Sequence, residues 1–212
     1  RLAILDLTAR GRQPMEARDA RVIVFNVEIY NYLELKKELK SLGHEFTTDT
    51  DTEVILAAHR QWGIDCVQHF IGMWAFAIWD GNSLFLSRDR LGKKPLYLYC
   101  NPDTGLLVFA SEIKALKSIS GVPWKPDERI VFRYLAFGET ERNGHTFYRD
   151  IRELPAASTL LFTPKTNRVH SKRFWSLPNE EIQPSENEAI NRTSELLFES
   201  LCLRLRSDAP LG

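Results

Sequence analysis

Apolar and polar positions along the chain switch between two rhythms. Leu2 to Asp6 (LAILD) is almost continuously apolar and is predicted to be a buried strand, and the β-branched and aromatic run Arg21 to Asn26 (RVIVFN) predicts a second. From Tyr32 to Leu42 the leucines 33, 35, 39 and 42 recur at mostly helical spacing, and Gly43 stands where a helix stops. Glu45-Phe46-Thr47 reads as a short strand. Thr52 opens a helix through Val54, Ile55, Ala58 and Trp62 that ends at Gly63, and 64–70 reads as a further helical stretch. Strands are then expected at 73–79, 83–87, 96–99 and 106–110. The turn-rich segments Asp80-Gly81-Asn82, Gly92-Lys93-Lys94-Pro95 and Asn101 to Gly105 separate them, which suggests one meandering antiparallel sheet. Helices at 113–119 and 127–137 and a hairpin at 157–163 and 168–175 complete this part.

The rhythm breaks at 178–185, a polar, proline-containing linker. Ser185-Glu186-Asn187-Glu188 matches a capping box, and the helix that it opens carries Ile190, Leu196, Leu197, Leu201 and Leu205 on one side. Its apolar stripe suits a second unit rather than the first. Arg1 to Asp6 reads as a strand already under way without an initiating Met, and the end at Gly212 follows directly on a helical pattern. Both ends are therefore expected to be cuts in a longer protein.

Composition narrows the function classes. The 212 residues carry 28 basic and 28 acidic side chains, so the formal charge is zero, and the basic excess of a nucleic-acid binder is missing. No apolar run approaches the roughly 20 residues that cross a bilayer. Cys66, Cys100 and Cys202 lie far apart without metal-ligand spacing, as do the histidines 44, 59, 69, 145 and 170, so neither a metal nor a disulfide framework is expected and a reducing cytoplasm fits.

Three local signals carry chemistry. Asn26-Val27-Glu28-Ile29-Tyr30-Asn31 stands at the expected end of a strand, where a rigid frame can hold a polar cluster. There the Asn26 amide could donate to a developing oxyanion, and Glu28 could hold an ammonium group. Thr48-Asp49-Thr50-Asp51-Thr52-Glu53 has the composition of a helix cap, and Asp51 could instead face a cation. Arg1 can hold a carboxylate in a two-bond fork. One anion clamp with a pair of acidic groups suits an α-amino acid. Arg88-Asp89-Arg90-Leu91-Gly92 is read as structural, an Arg-Asp pair beside a tight Gly turn that fixes a hairpin, and the aromatics Trp74, Phe76, Trp79 and Phe85 as core or strand-face residues.

RLAILDL, RQPM, FNVEIYNYLEL, TDTDTEVI, GMWAFAIWD, SRDRLGKKPLY and FASEIKAL follow one another in an order that resembles the glutaminase domain of the asparagine synthetase family, a class II glutamine amidotransferase. The resemblance covers residues 1–177. It implies an α+β fold, the four-layer αββα sandwich of N-terminal-nucleophile amidohydrolases with mainly antiparallel sheets. It makes 186–212 the first helix of an ATP-dependent synthetase domain. By position it assigns Arg1 to the glutamine carboxylate, the backbone of Leu2, Ala3, Ile4 and Leu5 to the pocket wall, Asn26 and the Val27 N–H to the oxyanion, and Glu28 and Asp51 to the α-amino end. No cofactor is expected in this part; ATP and magnesium would belong to the synthetase domain, the partner that receives the ammonia. The resemblance also allows a homodimer.

Two departures matter. The family's attacking cysteine would lie upstream of Arg1, and its ATP loop beyond Gly212, so this polypeptide alone is expected to be inactive. The family's NGEIYN reads NVEIYN here, and a β-branched side chain resists positive φ and could crowd the substrate. A catalytically inactive, glutaminase-like scaffold domain, as in proteins similar to β-lactam synthetases, is the alternative.

Overall fold

The computed structural model describes residues 12–139, 144–179 and 181–206. The expected strand 2–6 and the candidates Arg1, Leu2, Ala3, Ile4 and Leu5 lie outside them.

Nine strands and five helices follow in the order β1 (Met15–Glu16), β2 (Val22–Ile29), α1 (Tyr32–Ser41), α2 (Asp51–Trp62), β3 (Gly72–Trp79), β4 (Leu84–Arg88), β5 (Tyr97–Asn101), β6 (Leu106–Ala110), α3 (Ile113–Leu116), α4 (Glu128–Phe137), β7 (Ile151–Glu153), β8 (Ser158–Thr163), β9 (Arg168–Arg173) and α5 (Glu186–Arg204) among the described residues. A six-stranded sheet runs β1-β2-β3-β4-β8-β9 and a three-stranded sheet runs β6-β5-β7, with every pairing antiparallel.

Period-two alternation builds the layers. Odd positions of β2 (Ile23, Phe25, Val27, Ile29) join Leu35, Leu39, Val54, Ile55, Ala58 and Phe70 in a core between the large sheet and the helices α1 and α2. The opposite face of the large sheet supplies Val24, Ala75, Ala77, Leu86, Leu160 and Phe162 to a second core, which Leu98, Leu107 and Phe109 of the small sheet complete. Intervening residues of those strands, Tyr97, Tyr99, Leu106 and Val108, pack outward on Leu116 of α3 and on Trp124. The stack is helices, sheet, sheet, helix: the four-layer arrangement implied by the resemblance.

Three expectations change. The strands from 73 to 110 do not form one meander. β4 pairs with β3 and β8, while β5 turns away into the other sheet. Asp89 makes that corner: its carboxylate accepts from the backbone N–H of Trp74, Leu91, Lys93 and Lys94. Arg88 completes it by donating to the carbonyls of Lys94, Leu154 and Gly92 and pairing with Glu153 at 2.6 Å, so the block is structural as read, but it joins two sheets instead of fixing a hairpin. The strand expected at 45–47 is irregular, because Glu53 accepts from the N–H of Thr47 and Thr48, the role a strand partner would have had. The helical stretch read at 64–70 is present as a 3-10 helix, Gly63–Gln68. β2 continues past Asn26 to Ile29 because all eight of its residues pair with Gly72–Trp79.

Candidate functional site

Continuation of β2 gives its polar residues a defined direction. Because Val24 faces the core between the sheets, Asn26 and Glu28 share that face, and Val27 points to the opposite, helix-side core, where it is 5% exposed. Val27 is not among the described residues with positive φ, which besides glycines are Ala20, Ala157 and Asn167. The expected crowding and backbone strain are therefore absent: the valine side chain occupies the core, away from Asn26 and Glu28.

Backbone donors follow the same alternation. Tyr30 N–H donates to the Ile71 carbonyl at 2.8 Å, so the even residues of β2 direct their N–H groups to the β3 side. The odd residues direct theirs to the other edge. Phe25 N–H donates to Gln13 Oε1 at 2.9 Å, and Ile29 N–H donates to Asp51 Oδ2 at 3.1 Å. The Val27 N–H lies between these two on the same edge. Asn26 Oδ1 is buried without a hydrogen-bond partner among the described residues.

Asp51 is the first residue of α2 and is 5% exposed. The capping role predicted for its neighbours is also present, since Thr50 Oγ1 accepts from Glu53 N–H at 3.2 Å. Asp51 does something further by reaching across to β2. Burial pushes its carboxyl from the ordinary 3.8 up to about 6, against the Ile29 N–H that favours the anion, and the nearby charge of Glu28 adds to the rise. Half-buried Glu28 is raised as well, first by burial, with the Lys94 ammonium opposing. Two carboxylates that resist ionising together form a place where an added cation is favourable.

Three contributors were missed in the sequence. Lys94 reaches the field of Glu28 because the Asp89 corner holds its backbone. Gly72, opposite Ile29, permits the close approach of β2, since a Cβ there would stand 2.1 Å from the Glu28 carbonyl oxygen. Only the glycine itself was visible as a signal. The third, Arg204, lies over the Tyr30 ring at 4.9 Å. A cleft of about 650 Å³ opens elsewhere, lined by Arg18, Arg21, His44, Glu53, Arg60 and others; Asn26, Glu28 and Asp51 do not line it. Its charged groups are already engaged with one another, as in Arg18–Glu45 and Arg21–Asp19.

An amide and two carboxylates raised first by burial lie around one strand end, and comparison with known proteins shows the family. Residues 1–175 match the family described as glutamine amidotransferase domain. The chain belongs to this glutamine amidotransferase family. All of the amidotransferase chain aligns at 34% identity with asparagine synthetase [glutamine-hydrolyzing] 3 of Bacillus subtilis and at 36% with asparagine synthetase [glutamine-hydrolyzing] 2 of the same organism. It also aligns throughout, at 36%, with a Methanocaldococcus jannaschii protein named provisionally as an asparagine synthetase [glutamine-hydrolyzing] 2. The chain spans 34%, 30% and 44% of those three proteins. Among solved structures, glutamine phosphoribosylpyrophosphate amidotransferase from B. subtilis shares the fold over 78% of this chain and 32% of its own, with a TM-score of 0.55 at 20% identity.

Proposed function

We propose that this amidotransferase domain binds glutamine at the end of β2 and takes part in hydrolysing its side-chain amide, as one half of a glutamine-dependent asparagine synthetase. The observation that carries the reading is the convergence of Asn26, the Val27 N–H, Glu28 and Asp51 on that strand end. Glu28 and Asp51 would take the α-ammonium group, whose charge relieves their mutual repulsion. The Nδ2 N–H groups of Asn26 and the Val27 N–H would stabilise the negative oxygen that forms when the amide is attacked. Arg1 would hold the α-carboxylate, and the backbone of Leu2 to Leu5 would wall the pocket.

The attacking thiol is not one of the cysteines here. Cys66 is sealed in the helix-side core with its thiol pushed up by burial, Cys100 sits in β5 of the small sheet, and Cys202 is exposed on α5. In this reading it comes from upstream of Arg1. The released ammonia passes to a C-terminal synthetase domain that uses ATP and magnesium to activate aspartate, and α5 is the first helix of that domain. Its apolar residues support the assignment: Ile190, Leu197, Phe198, Leu201 and Leu205 are all exposed, and no residue of α5 is buried. Among the described residues no group of three or more His, Cys, Asp or Glu could hold a metal, and no helix is long and apolar enough to cross a membrane. A cytoplasmic setting is expected, and the resemblance allows a homodimer.

The scaffold alternative drew its support from Val27, and a side chain buried on the far face of β2 gives it little. The test is Asn26→Ala in the complete protein. Loss of one oxyanion donor should lower kcat for glutamine hydrolysis by about 10²–10³ with KM little changed. An unchanged kcat overturns the assignment of Asn26.

A further inference from the structure

The last turn of α5 returns to the strand that carries the candidate site. Arg206 donates from Nη1 and Nη2 to Glu34 Oε2 and Oε1, both at 2.6 Å, and from Nη1 to the Tyr30 carbonyl at 2.9 Å. The guanidinium thus grips two neighbouring elements: the residue that follows β2 and the first turn of α1. Arg204 adds a face contact with the Tyr30 ring at 4.9 Å. The Tyr30 N–H is bound to the Ile71 carbonyl at 2.8 Å, so both backbone groups of Tyr30 are held, one by the residue before β3 and one by the C-terminal segment. Tyr30 is two residues beyond Glu28 and shares its side of β2. Burial raises its phenol pKa, Arg204 opposes that rise and Glu28 adds to it, so the three side chains feel one another.

An isolated exposed ion pair contributes little, but a fork with two parallel bonds and a backbone acceptor imposes geometry. No residue of α5 is buried, and the Arg206 fork just past the helix, with the Arg204–Tyr30 contact, ties its end to the domain.

We infer that Arg206, with Arg204, is a positioning residue for the glutamine site: a latch through which the C-terminal segment sets the Glu28 end of β2, and through which an occupied site in turn holds that segment. The inference rests on the glutamine reading above for its ligand. By reciprocity, a latch that tightens ligand binding must itself be tightened by the ligand.

The experiment uses the complete protein with Arg206→Ala, Glu34→Gln and the exchanged pair Glu34→Arg/Arg206→Glu. Kinetics of glutamine hydrolysis are measured together with hydrogen exchange at residues 30–34 and 200–206. Each single variant should raise KM about tenfold and leave kcat within about twofold, while the exchanged pair recovers most of the loss. Glutamine should slow exchange at 200–206 in the wild type and not in Arg206→Ala. Singles with KM within about twofold of wild type, or glutamine without effect on exchange at 200–206, overturn the latch. If the wild type neither binds nor hydrolyses glutamine, the functional reading fails by itself. The mechanical part of the latch is then decided without ligand, by whether Arg206→Ala speeds exchange at 30–34.

Discussion

Replacing Asp51 by Asn separates the cost of holding a carboxylate in this site from every other effect of the change. The side chain is 5% exposed, and its pKa in the fold is about 6 against an ordinary 3.8. The folded state therefore holds the proton more tightly than the unfolded state between about pH 4 and pH 6. Over that window the wild type loses stability as the pH rises, because the buried group must ionise. A pKa difference of about two, at about 1.4 kcal/mol each, gives a loss of about 3 kcal/mol by pH 7. Asparagine keeps an oxygen for the Ile29 N–H but adds N–H donors that need partners, a cost of about 1–3 kcal/mol that does not depend on pH. The stability difference between Asp51→Asn and wild type should therefore move by about 3 kcal/mol in favour of the variant from pH 4 to pH 7.5. Urea unfolding of both proteins at a series of pH values measures it, and taking the difference between them cancels the titrating groups that do not interact with Asp51. A difference that stays flat with pH would refute a buried, raised carboxyl at this position. The same variant should bind glutamine less well, which would make Asp51 a group kept for its ligand at the expense of stability.

Other consequences follow from single contacts. Val27→Gly empties a buried site in a central strand, so it should destabilise by about 2–4 kcal/mol in urea unfolding while changing kcat for glutamine hydrolysis by less than about threefold; a gain near a hundredfold would show that the valine does restrict the oxyanion donors. Gly72→Ala would place a Cβ 2.1 Å from the Glu28 carbonyl, so it should cost about 3 kcal/mol and weaken glutamine binding as β2 shifts; a variant as stable as wild type would contradict the close approach. A thiol reagent should label exposed Cys202 in the folded protein and reach Cys66 only on unfolding, because that thiol is buried and its pKa is raised; rapid labelling of Cys66, read by mass spectrometry of the peptides, would count against the packed helix layer.

Strong local rhythm made much of this fold legible. The eight residues of β3, the leucine spacing of α1 and the capping box at Ser185 and Glu188 are each specified by near neighbours, and each is found in place. The strand β2 was cut short in the reading because Asn26 and Glu28 look like an end to an apolar run. They are instead the alternate positions of a strand whose other face stays apolar through Ile29. The division into two sheets was not visible in the local pattern and came only from the resemblance, since it depends on how Asp89 gathers backbone groups from both sides of a turn. β7, three residues long, exists through its pairing with β5 and has little signal of its own.

At the candidate site, residue types marked Asn26, Glu28 and Asp51, but sequence could not show that α2 brings Asp51 onto Ile29 or that Val27 faces away. Lys94 and Arg206 were hidden for the same reason: one is delivered by a folded corner and the other by a helix end far along the chain. Local patterns gave the donors and acceptors, and long-range packing decided which of them meet.

The central claim is that Glu28 and Asp51 recognise the α-ammonium group of glutamine. Calorimetric titration of the complete protein with glutamine, beside the analogue that lacks only the α-amino group, tests it most directly. Wild type should bind glutamine at least about a hundredfold more tightly than the analogue, the value of losing a charge-assisted contact with a buried pair, and Glu28→Gln should erase most of that difference. Equal affinity for the two ligands in the wild type would contradict the account.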